Sequence, residues 1–116
     1  MHIRSKEKRF VKFRIEKNCT SQKDYVTNEF EESFFERLYD SLLEADRLFI
    51  HLYRMSNGIL SVYYKTYPIG KIKLQGRVFS MQILKGLSSV KNIDGSLEDF
   101  LEHIPDWCKY IRLHCK

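Results

Sequence analysis

The hydrophobic positions keep a helical period from residue 28 to 46, a period of two from 47 to 84, and a helical period again from 96 onward. In "NEFEESFFERLYDSLLEAD", residues 28–46, Phe30, Phe34, Leu38, Leu42 and Ala45 recur every three or four places, and Phe35 widens the stripe. This spacing predicts an amphipathic helix capped by Asn28, with glutamates in its first turn. Tyr39 and Leu43 fall off the stripe, toward Glu32, Glu36 and Asp40. At the other end, Leu97, Phe100, Leu101, Ile104, Cys108, Ile111 and Cys115 form a second stripe. Ser96 followed by Asp99 is a capping-box-like start. Pro105 removes a backbone donor and restricts Ile104, which predicts a kink in a helix whose stripe keeps its phase.

Between the helices, "RLFIHLYRM", "ILSVYYKTY", "KIKLQ" and "VFSMQIL" alternate apolar and polar residues. Asn57-Gly58 suits a tight hairpin turn, Pro68 and Gly70 punctuate the next, and Gly76-Arg77 the third. These signals predict a four-stranded antiparallel meander. "KRFVKFRIE", residues 8–16, also alternates, and predicts a further N-terminal strand. The expected fold is α+β, in the order β-α-β-β-β-β-α, with two helices packed on one face of the sheet. That inner face takes Leu48, Ile50, Leu52, Leu60, Val62, Tyr64, Ile72, Leu74, Phe79, Met81 and Ile83.

Alternation sends the remaining strand residues to the outer face. Phe49, His51, Tyr53 and Met55 come from the first strand, and Ser61, Tyr63, Lys65 and Tyr67 from the second. Lys71, Lys73 and Gln75 follow, then Val78, Ser80 and Gln82. Rings and cations on one face suit single-stranded nucleic acid, because bases stack on aromatic side chains and lysines neutralise phosphates. An ordinary solvated sheet face with cross-strand aromatic pairs satisfies the same pattern.

Charge changes the balance between those two readings. No Asp or Glu occurs between Arg47 and Lys91, a stretch holding eight Lys or Arg. Residues 24–46 carry a net charge of −7, residues 1–23 of +6 and residues 92–116 of −2, within a total of +5. The sheet is basic and the helices acidic, so the molecule is expected to be electrostatically two-sided. A face of one sign attracts an oppositely charged partner and steers its approach.

The 116 residues suit one domain, and 43% hydrophobic with 30% charged residues is a globular composition. The N-terminus lacks the apolar run of a signal peptide, and no stretch reaches the ~20 apolar residues of a membrane span. The expectation is a cytoplasmic protein whose Cys19, Cys108 and Cys115 are free thiols. Phe, Tyr, Met, Ile, Asn and Lys total 44 residues against 16 of Gly, Ala, Arg and Pro, which points to an AT-rich genome such as that of a low-GC bacterium, its phages or mobile elements.

Enzyme signatures are sparse. "PIGKIKLQG" lacks the order of a P-loop. His103, Cys108, His114 and Cys115 lie close in sequence, but the cysteines sit on the apolar stripe and read as buried thiols rather than metal ligands. No cofactor is implied. The first functional expectation is therefore a non-enzymatic nucleic-acid-binding protein using His51, Tyr53, Tyr63, Lys65, Tyr67, Lys71, Lys73 and Arg77. The alternative is a small interaction or inhibitor protein of phage or mobile-element type. It would dock on a nucleic-acid-handling partner through Glu32, Glu36, Tyr39, Asp40 and Leu43. A third reading is a metal-independent ribonuclease, in which histidine or tyrosine moves protons and cations stabilise the transition state. A helix followed by a basic antiparallel sheet is similar in topology to small ribosome-dependent ribonuclease toxins, a likeness of topology alone.

Overall fold

A computed structural model describes Ile15, residues 27–86 and residues 89–115. Helix α1 (Glu29–Ser41) and a single turn α2 (Glu44–Arg47) lead into five strands: β1 (Ile50–Arg54), β2 (Leu60–Tyr64), β3 (Tyr67–Lys73), β4 (Phe79–Leu84) and β5 (Val90–Gly95). Helices α3 (Leu97–Leu101) and α4 (Ile104–Tyr110) follow, and a π-helical turn spans Ile111–Cys115. The fold is α+β. The strands lie side by side in sequence order, each antiparallel to the next.

The additional strand beyond the expected four is β5, which pairs along its whole length with β4. The strand expected at residues 8–16 lies outside the described residues except for Ile15, which forms a parallel bridge to Leu52. Cys19 is likewise outside them.

Helix α1 begins where its cap predicts. The Asn28 side chain accepts from the Glu31 amide at 2.9 Å, and the Glu31 carboxylate accepts from the Asn28 amide at 3.2 Å. Asn28 Nδ2 also donates to the Leu74 carbonyl at 2.9 Å, tying the helix start to the end of β3. The helix ends at Ser41, earlier than the stripe implied. Leu42 is extended, and α2 turns the chain so that buried Asp46 accepts from the Tyr64 hydroxyl at 2.8 Å.

Phe34, Phe35, Leu38, Leu52, Leu60, Val62, Ile72, Met81, Ile83, Phe100, Ile104 and Trp107 fill the layer between sheet and helices. Two inner-face expectations need correction. Leu48 is 79% exposed because the chain is still turning out of α2, and β1 begins only at Ile50. Ile69, absent from the expected core, is fully buried. The register between β2 and β3 shifts at Val62/Tyr63, so β3 carries one extra residue there, and this bulge brings Ile69 into the core.

Next to that bulge, Gly70 sits beneath the Trp107 indole. A Cβ on Gly70 would fall 2.7 Å from the indole and 2.5 Å from the Gln82 carbonyl oxygen. The indole Nε1 donates to that same carbonyl at 3.0 Å. Glycine is required here by close approach, which lets α4 seat its tryptophan on the backbone of β3 and β4.

The C-terminal helix breaks rather than kinks. Glu102 and His103 form a turn, and Pro105 opens α4 in the first turn, where its missing N–H leaves no helical bond unmade. The stripe keeps its phase across the break, with Phe100, Ile104, Cys108, Ile111 and Cys115 all buried.

Candidate functional site

Directly opposed residues on neighbouring strands share a face of the sheet. One row therefore crosses all five strands on the outer face: Tyr53, Ser61, Lys71, Gln82 and Asn92. A second row runs Lys73, Ser80, Asp94, and a third pairs His51 with Tyr63 and Tyr63 with Pro68. Lys71 and Lys73 come from β3, the middle strand, on either side of buried Ile72. Two residues of strand separate them by roughly 6.8 Å. With Ser80, Gln82 and Asn92 they line a shallow depression of about 200 Å³.

The rings on this face are half-buried. Tyr53 and Tyr63 pack edge to face with centroids 5.4 Å apart and planes at 86°. This is the cross-strand aromatic contact that an ordinary sheet surface would also use.

Three of the residues singled out in the sequence do not join this face. Lys65 occupies the two-residue turn between β2 and β3 with φ of 57°, and its ammonium lies 4.8 Å from the Phe49 ring centroid. Tyr67 opens β3 after the two-residue turn and opposes Tyr64, a core residue, so it lies off the outer face at the end of the sheet. Arg77 lies in the β3–β4 turn, at the opposite end. The structure thus gathers His51, Tyr53, Tyr63, Lys71 and Lys73, and disperses the rest.

The charge map is also redrawn. Arg54, counted with the basic sheet, points inward and donates to Glu31 at 2.6 and 3.1 Å and to the Gly58 carbonyl at 3.1 Å. Glu31, counted with the acidic helix, is fully buried and also accepts from Gln75 Nε2 at 3.2 Å. Neither charge reaches solvent. On the helix layer Glu29, Asp40, Glu44, Glu98 and Glu102 are exposed, and on the sheet Lys65, Arg77, Lys85 and Lys91. The helix layer also exposes Arg37, Lys109 and Arg112, and Lys91 opposes the core residue Ile83, so the separation of charge is partial. One carboxylate enters the outer face from β5: Asp94, two strands and about 10 Å from Lys73.

On the alternative docking surface, Tyr39 belongs to the core, where burial pushes its hydroxyl up to about 12. Asp40 and Leu43 are exposed, Leu43 by 68%, and Glu32 and Glu36 are half-buried. Desolvation first, and then the hydrogen bond to Asp46, raises Tyr64 to about 12. Burial raises both the Cys108 and Cys115 thiols, which are free.

Asn92 and Asp94 are outer-face residues that the sequence does not reveal, because "VKNIDG" shows no clean alternation. Among the described residues no His, Cys, Asp and Glu side chains gather in a group able to hold a metal ion, and no helix is long and apolar enough to cross a membrane. Comparison of the chain with protein-family models, curated proteins and solved structures gave no match.

Proposed function

We propose that this chain is a nucleic-acid-binding domain that takes a single strand across the outer face of its sheet. The observation that carries this reading is the pair Lys71 and Lys73. Both project from the central strand onto a face where Ser80, Gln82 and Asn92 offer hydrogen bonds and Asp94 is the one carboxylate of the paired rows. Each ammonium that meets a phosphate releases a condensed counterion, and Tyr63 offers a base a ring beside the lysines. Serine, glutamine and asparagine side chains can bond sugar and base edges without fixing a sequence.

A salt titration of oligonucleotide affinity tests the reading. Replacing Lys71 and Lys73 by Gln lowers the slope of log K against log salt by roughly 0.7 per lost contact on a single strand. Tyr63→Ala weakens binding by about 1–3 kcal/mol and leaves the slope nearly unchanged, because stacking releases few ions. No measurable binding by the wild type at low salt rejects the proposal. An unchanged slope in the lysine variant moves the site off this face.

A second reading, docking on a nucleic-acid-handling protein, draws on Leu43 and Leu48, exposed by 68% and 79% on either side of α2. Leu43→Ser with Leu48→Ser would abolish such docking in a binding assay with the partner and leave oligonucleotide affinity unchanged.

A further inference from the structure

Away from the lysine rows, two adjoining depressions open where the end of β4 and the start of β5 meet α4 and the π-helical turn. The larger, about 410 Å³, is lined by Tyr67, Pro68, Leu84, Val90, Tyr110 and Cys115, among others. It falls within the roughly 300–1,000 Å³ of small-molecule sites. The smaller, about 130 Å³, holds Lys85 and Lys109. Leu84, Tyr110 and His114 line both, so the two are parts of one groove.

Three features mark this groove. Tyr67, Val90 and Leu113 on its walls are exposed by 49%, 51% and 62%, which leaves apolar surface in water on one side of the molecule. Lys85 and Lys109 form no ion pair with a described residue, and Asp106, which lines the smaller depression with them, holds its carboxylate against His103 at 2.9 Å. The wall itself departs from α geometry: the π turn sets the His114 ring against Tyr110 with centroids 4.7 Å apart, and such turns recur at functional sites.

We infer that this groove binds a small amphipathic anion, an apolar tail ending in a carboxylate. The tail lies among Leu84, Val90 and Tyr110, and the head reaches Lys85 and Lys109. Burial of the tail supplies most of the affinity, and the two ammonium groups fix its direction. The inference stands independently of nucleic-acid binding, since neither Lys71 nor Lys73 lines the groove.

Decanoate, used below its aggregation concentration, is the probe, and decyltrimethylammonium carries the same tail with the opposite charge. Amide shifts of Tyr110, His114 and Cys115, followed by NMR, should saturate with decanoate and move much less with the cation. Lys85→Gln with Lys109→Gln should weaken decanoate about tenfold, in keeping with two solvent-facing charge pairs. Val90→Glu, at an exposed position, should weaken it as well, with the thermal midpoint confirming that the variant folds. Lys71→Gln with Lys73→Gln should leave decanoate affinity unchanged. No saturable shift at these amides overturns the site. Equal binding of the cation overturns the anionic ligand class. An equal loss in the Lys71/Lys73 variant places the ligand on the outer face and overturns the groove.

Discussion

Arg54→Met takes away a guanidinium that makes three hydrogen bonds inside the protein, two of them to Glu31. The Glu31 carboxylate then keeps only the Asn28 amide and Gln75 Nε2 as described partners, in a side chain with no exposure to solvent. Removing one partner of a buried ion pair costs about 3–5 kcal/mol, because the other charge stays desolvated and unpaired. Glu31→Gln should also destabilise, for it removes the carboxylate charge that faces the Arg54 guanidinium at 2.6 Å. A domain of this size has about 5–15 kcal/mol in total, so either variant should be near the edge of folding. In the double variant neither charge of the pair remains. Its loss should fall well short of the sum of the single losses, with a coupling of at least ~2 kcal/mol. Urea unfolding at pH 7 reads all four species of the cycle. With a slope of ~1.5 kcal/mol/M, a ~4 kcal/mol loss lowers the midpoint by roughly 2.7 M. Additive losses, within ~0.5 kcal/mol, would refute the claim that these two residues act as one buried unit.

Gly70→Ala places a methyl against the Gln82 carbonyl and the Trp107 ring, and should destabilise by about 1–3 kcal/mol or more; an unchanged urea midpoint would show that the indole does not rest on β3. Cys108 and Cys115 are seven residues apart, about 10 Å along a helix, too far for a disulfide spanning under ~7 Å, so both should stay reduced in air and label slowly in the native state. Rapid labelling of both thiols would contradict their burial. Tyr64 ionises near its ordinary value of 10 when unfolded and at about 12 when folded. The folded state holds the proton more tightly, so this contribution to stability is complete below pH 10 and lost as pH rises from 10 to 12. Tyr64→Phe should flatten that part of the stability-against-pH curve, and an unchanged slope would assign the alkaline loss elsewhere.

Periodicity carried far in this chain wherever one face of an element is apolar and the other wet. The stripes of Phe34 and Leu38, of Ile50 and Leu52, and of Ile104 and Ile111 are buried as their spacing implied. Strand β5 was illegible because it lies at the sheet edge and buries almost nothing, so no alternation was selected along it. Tyr67 reads as the end of the second strand and Ile69 as part of a turn, but both belong to β3, where the pairing with Tyr64 takes Tyr67 off the outer face and a bulge brings Ile69 inward. The Glu31–Arg54 pair has a signal in the sequence. Glu31 stands three residues before Phe34 on the buried stripe, and Arg54 two after Leu52 on the inward set. Two opposite charges on two inward positions are more simply partners than surface groups. On the candidate face, plain alternation places Lys71 and Lys73, whereas Lys65 falls beyond the end of β2 at Tyr64 and Arg77 stays in the turn its Gly76 neighbour implies.

The meander has a consequence for how the chain assembles. Every strand pairs with its sequence neighbour, so the sheet can grow hairpin by hairpin across short loops, the kind of topology that folds quickly. Helices α1 and α4 lie on either side of that meander in sequence and meet only over the finished sheet, where Phe34 packs against Trp107 with centroids 5.4 Å apart. Trp107 is the sole tryptophan of the chain. Its fluorescence should therefore time the docking of α1 against α4, and lag behind the circular-dichroism signal of the strands beneath it.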